Sequence, residues 1–129
     1  MKKVWIITTM LAMALASCQE SLEDKCANEA DEFTRKKCPA RIDENIIIDS
    51  MKFDKSSHTL AYWYHLEGAA DTSAVFKKIN MKKVLTDELK NTTNMKLYKD
   101  AGYSFRYVYC SGKTKAVYFD TTIREKDYK

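Results

Sequence analysis

The chain has 129 residues and a formal charge of +4. Lys2 and Lys3 belong to a leader, and without them the side chains carry +2. A nearly neutral chain lacks the concentrated basic face that nucleic acid demands. Residues 18–129 suit one compact domain, with no repeats or low-complexity linkers.

The first segment is a leader. Lys2 and Lys3 precede an apolar run from Val4 to Ala16. A membrane-spanning helix needs about 20 apolar residues, and this run is shorter and meets polar residues at once. It reads as a signal peptide over 1–17.

The run ends in Leu15-Ala16-Ser17-Cys18. An apolar residue, two small residues and a cysteine resemble the lipobox of bacterial lipoproteins. That resemblance implies lipidation at Cys18, cleavage before it, and a bilayer anchor. Two or more acyl chains hold a protein stably at a membrane, whereas one holds it reversibly. Gln19 stands where aspartate retains such lipoproteins at the inner membrane, so the resemblance favours the outer membrane. Residues 18–24 carry Glu20, Glu23 and Asp24 and read as an acidic tether, leaving 25–129 as the folded domain.

Leu22, Cys26, Ala30 and Phe33 recur at helical spacing. Acids lead this segment and Arg35, Lys36 and Lys37 close it, an order that suits the helix dipole. Pro39 ends it. Ile46 to Asp54 and Leu60 to Leu66 read as strands joined by a polar turn. Leu60, Tyr62, Tyr64 and Leu66 share one face of the second strand, and Ala61, Trp63 and His65 share the other. After the small residues 68–72, Val75, Phe76, Ile79, Met81, Val84, Leu85 and Leu89 make a broad helical stripe. Tyr103 to Cys110 alternates as a strand, and Ala116 to Arg124 is the last. The expected fold is α+β, in the order α-β-β-α-β-β. Two hairpins joined by a helix would form an antiparallel four-stranded sheet with helices on one face.

Cys38-Pro39-Ala40-Arg41-Ile42-Asp43, the later Tyr107-Val108-Tyr109 and the terminal Asp127-Tyr128 resemble a group of small exported bacterial proteins of uncharacterised function. The resemblance implies a fold and an exported address, and it brings no catalytic residue.

With Cys18 lipidated, Cys26, Cys38 and Cys110 remain for at most one disulfide. A continuous helix would hold Cys26 and Cys38 about 18 Å apart, and a bridge needs Cα atoms within about 7 Å. Cys110 is therefore the preferred partner, through Cys38 or Cys26. No cysteine–histidine spacing suggests a metal, and no motif calls for a cofactor. His58 and His65 are the two histidines, and no GxSxG, HExxH or phosphate loop accompanies them. The neighbouring acids Asp43/Glu44 and Asp87/Glu88 point apart and share no site.

Trp63, His65 and Arg106 fall on the strand face opposite the expected core. Tryptophan and arginine are favoured binding anchors, so these three form the candidate binding patch. The expected function is a membrane-tethered, non-catalytic domain that binds a protein or a small ligand. The alternatives are an immunity-type or inhibitor lipoprotein that neutralises a toxin or enzyme, a subunit of a larger surface assembly, and, last, a small envelope hydrolase.

Overall fold

The structure, a computed structural model, describes residues 20–129. The leader and Cys18 lie outside the described residues.

Helix α1 spans Leu22–Lys37. The Ser21 hydroxyl accepts the Asp24 N–H at 3.1 Å, and Glu23 and Asp24 occupy the first turn with Arg35, Lys36 and Lys37 in the last. Both ends thus complement the helix dipole. Ser21 to Asp24, expected to be tether, are instead the cap and first turn of this helix. Cys26 and Ala30 face the core.

Strand β1 (Ala40–Asp43) turns antiparallel onto β2 (Ile46–Asp54), which pairs antiparallel with β3 (Thr59–Leu66). The β2–β3 turn is tied by the Asp54 carboxylate. It accepts from the Ser56 N–H at 3.0 Å, the Ser56 hydroxyl at 2.8 Å and the Ser57 hydroxyl at 2.9 Å. A crossover follows: a short 3₁₀ turn (Gly68–Ala70), α2 (Ala74–Lys78), α3 (Met81–Asn91) and α4 (Lys96–Asp100). Strand β4 (Ser104–Ser111) then lies parallel to β3, β5 (Val117–Ile123) returns antiparallel to β4, and α5 (Glu125–Tyr128) ends the chain. The sheet order is β1-β2-β3-β4-β5.

The α+β class holds, but the expected antiparallel four-stranded sheet does not. The described residues form a mixed five-stranded sheet, and β3 and β4 are parallel neighbours. Antiparallel strands accept a tight turn, whereas parallel ones need a long crossover. Here the segment between Leu66 and Ser104 supplies one. The expected stripe from Val75 to Leu89 is also two helices, because α2 stops before Ile79 and Asn80 caps α3 by accepting the Lys83 N–H.

The core lies between the helices and one face of the sheet. Phe53, Leu60, Tyr62, Tyr64, Leu66, Phe105, Tyr107, Tyr109 and Ile123 meet Cys26, Ala30, Leu85 and Leu89 there. Parallel pairing sets Tyr62 beside Tyr107 and Tyr64 beside Tyr109. Their rings stack at 5.0 and 4.7 Å between centroids, within the range for favourable aromatic pairs. The last strand departs from plain alternation. A register shift opposite Tyr109 and Cys110 leaves Val117 exposed, while Phe76 packs against both Tyr118 and Phe119.

Candidate functional site

The other sheet face carries no helix among the described contacts with the core. Strand alternation sends Ala61, Trp63 and His65 of β3 there, with Ser104, Arg106, Val108 and Cys110 of β4. Ala61 and Val108 are buried all the same, because they are small and stand among longer side chains.

Trp63 and Arg106 meet. The guanidinium lies 5.5 Å from the indole centroid, a cation–π geometry. Asp120, on the neighbouring strand, holds Arg106 in place. It accepts from Nε at 2.9 Å and from an Nη at 2.6 Å. The same pair of hydrogen bonds keeps the Asp120 carboxyl below the usual carboxylate range. The fork thus fixes the plane of the guanidinium over the ring.

His65 lies further along the same face and is held differently. Its Nδ1 is 2.8 Å from Asp49, the residue at the bulge in β2, and its Nε2 is 3.2 Å from Glu67. Glu67 also accepts from Arg41 at 3.1 Å. With a carboxylate at each ring nitrogen, the doubly protonated ring is favoured. The hydrogen bond to Asp49, ahead of the one to Glu67, raises the pKa of His65 above its ordinary value, and the bond to His65 lowers that of Glu67. A histidine with both nitrogens engaged by acids is a structural tie, not a poised base.

His58 is elsewhere. It is the turn residue just before β3, bonds Glu23 at 2.9 Å and stacks on Tyr103 at 4.9 Å. Seven residue steps along the chain separate the histidines, roughly 23 Å at about 3.3 Å per step, so they share no site. Among the described residues, no group of three His, Cys, Asp or Glu is placed to hold a metal ion. No described helix is long and apolar enough to cross a membrane.

Cys26, Cys38 and Cys110 are free thiols. Cys26 is buried, and burial pushes its thiol up to about 12. Unbroken helix from Leu22 to Lys37 keeps Cys26 about 18 Å from Cys38. Cys110 sits at the register position of His65, while Cys26 lies in the helix-side core.

Beside the Trp63–Arg106 pair is a depression of about 420 Å³ near the β2–β3 turn. Its floor is Thr59, Ala61, Ser104 and Thr122, all short side chains. Its rim is Lys52, Trp63, Arg106 and Arg124, all long. Period-two alternation in the sequence places Trp63, His65 and Arg106 on this face, and the structure has them there. Lys52 and Arg124 carry no such sign in the sequence, because their place beside the depression depends on how β2 and β5 flank β3 and β4.

No curated protein matches the chain in sequence. Three solved structures share its fold. One is a protein from Pseudomonas aeruginosa described as secreted (TM-score 0.65, 13% identity, 86% of this chain and 100% of that one). Another is EpsS, a type 2 secretion system pilotin from Vibrio vulnificus (0.61, 13%, 84% and 92%). The third is AspS, the type II secretion system pilotin from Vibrio cholerae (0.57, 16%, 88% and 98%). At these identities the likeness is one of fold. Residues 21–119 match a family model described as a domain of unknown function, so the chain belongs to the family DUF8479.

Proposed function

We propose that this chain is a lipid-anchored protein of the bacterial envelope that works by binding a protein partner and carries out no catalysis. The leader and Leu15-Ala16-Ser17-Cys18 support the anchor, and Gln19 favours the outer membrane. Only Gln19 and Glu20 separate Cys18 from the Ser21 cap, a reach of about 10 Å at roughly 3.5 Å per residue. The domain therefore stands close to the bilayer with the start of α1 nearest to it. The fold shared with two secretion pilotins favours a partner in an envelope assembly over a toxin or enzyme to be neutralised. Fold alone does not carry function.

The observation that carries the reading is the Trp63–Arg106 pair, preorganised by Asp120 on an uncovered sheet face. An aromatic ring and a fixed guanidinium side by side are the composition of an interface anchor. A photo-crosslinking residue at position 63 of the acylated chain, expressed in its own envelope, is expected to give a discrete protein adduct. Cys18→Ala should remove acylation and the adduct together. An unacylated wild-type chain, or an adduct indistinguishable from one formed at exposed Lys78, overturns the proposal.

A further inference from the structure

The binding face has a charge character that its anchor pair does not need. Arg106 is neutralised by Asp120. Lys52 and Arg124, on the rim of the same depression, make no side-chain ion pair among the described residues. Asp54 is the one carboxylate lining the depression, and the Ser56 and Ser57 hydroxyls already occupy it. The Ser104 and Thr122 hydroxyls on the floor make no hydrogen bond with the described protein groups and remain free to donate.

We infer that this depression seats an acidic side chain from an extended segment of a partner protein, with its carboxylate between Lys52 and Arg124 and its neighbouring residue over Trp63. This rests on the proposed binding role of the same face and names the partner's chemistry. Charge complementarity favours this occupant: two unpaired cations and two free hydroxyls converge on a slot too shallow to enclose a ligand, with an apolar ring beside it. Hydrogen bonds to an ionised carboxylate are about twice as strong as those between neutral groups. Short floor residues let an extended backbone come close, while long rim residues grip its side chains. An anionic lipid headgroup or free phosphate would use the cations, but neither requires the indole next to them.

The two tryptophans of the chain are Trp5 and Trp63, and Trp5 lies in the leader. In the processed chain Trp63 emission therefore reports on this site alone. The acylated, processed protein in neutral detergent is titrated with a short peptide of glutamates alternating with serines and with its glutamine counterpart. Further titrations use inorganic phosphate and vesicles with and without phosphatidylglycerol. The expected result is a saturable change in emission with the glutamate peptide that weakens as salt rises. Lys52→Glu with Arg124→Glu should weaken it by about tenfold or more with an unchanged melting curve, and Lys78→Glu should leave it alone. Equal binding of the glutamine peptide overturns the inference. So does a response to phosphate or anionic vesicles without one to the peptide, or indifference to the double reversal. Should the peptide fail while the crosslink at position 63 persists, the acidic chemistry falls and the binding face stands.

Discussion

The Thr34 hydroxyl engages both main-chain groups of Met51, accepting its N–H and approaching its carbonyl oxygen, each at 2.9 Å. Its proton also faces the Ala30 carbonyl at 2.9 Å, within its own helix. Strand β1 covers only the first residues of β2, so the outer edge of β2 beyond Ile48 is open for pairing. An open edge invites another chain, and one α1 side chain closes it at Met51. Thr34→Val keeps the shape and removes the hydroxyl. The expected loss is about 1–2 kcal/mol, read by urea denaturation, with faster exchange of the Met51 amide. Thr34→Ser should recover most of it. Equal stability of the valine variant would show that water serves the edge as well.

Phe105 and Trp63 are both large aromatics on neighbouring central strands, but they face opposite ways. Phe105 is 0% exposed and meets the edge of Tyr128. Phe105→Ala should cost about 3–5 kcal/mol. Trp63→Ala, on the uncovered face, should cost no more than about 1–2 kcal/mol. Comparable losses would place Trp63 among the structural residues and weaken its reading as a binding anchor.

That contrast was legible in sequence, because alternation in Leu60-Ala61-Tyr62-Trp63-Tyr64-His65-Leu66 assigns each side chain to a face. The cap, charge order and Pro39 stop of α1 were legible for the same reason: they act within a few residues. The parallel pairing of β3 and β4 was not, since no local pattern distinguishes two hairpins from strands joined by a helical crossover. The length between Leu66 and Ser104 was the available sign, along with Tyr62-Trp63-Tyr64 and Tyr107-Val108-Tyr109 as a matched pair. Strand β1 leaves little sign in the sequence because it is four residues long and Ile42 is exposed. The pairing of Asp49 with His65 is not legible in the sequence, because a bulge, unlike a regular strand, redirects a side chain without a compositional mark.

The His65 tie makes stability depend on pH. Its folded pKa is raised, chiefly by the Asp49 hydrogen bond, so the unfolded chain loses the proton first. The contribution is fully present below the ordinary histidine value of about 6.5. It is lost as pH rises through the higher folded value. Glu67, held low by His65 and Arg41, acts at the other end: its contribution fades as pH falls through its folded pKa. The difference in stability between wild type and His65→Gln should therefore be largest in mildly acidic solution and shrink above neutrality. A difference that grows towards alkaline pH would mean that the ring is neutral in the folded chain.

Gly112 is required by a backbone approach. A Cβ there would lie 2.6 Å from the Leu66 carbonyl oxygen and 3.1 Å from His65 Cδ2. The Gly112 N–H donates to that same oxygen at 3.0 Å. The clash is with backbone, so no side-chain rotation relieves it. Gly112→Ala should cost about 1–3 kcal/mol and spread the ends of β3 and β4. His65 provides a local readout, since its imidazole resonances should shift in the variant. A neutral substitution would show that the end of β4 yields freely.

Asp71 joins the crossover to the far end of the sheet. It accepts the Tyr118 hydroxyl at 2.6 Å and the Ser111 hydroxyl at 3.1 Å, so one carboxylate gathers the 3₁₀ turn, β4 and β5. Chiefly the Tyr118 bond lowers the Asp71 pKa, and the same bond raises that of Tyr118. The lowered carboxyl adds stability above its ordinary range, and that stability is lost as pH falls through the folded value. Asp71→Asn keeps an acceptor oxygen but removes the charge. It should speed amide exchange at Lys113 and Thr114, beside Ser111, while exchange in β2 stays unchanged. The phenol should then titrate nearer its ordinary value in an ultraviolet pH titration, because no carboxylate remains to hold its proton. If β2 amides accelerate equally, Asp71 supports the whole sheet and not only the crossover's attachment to its edge.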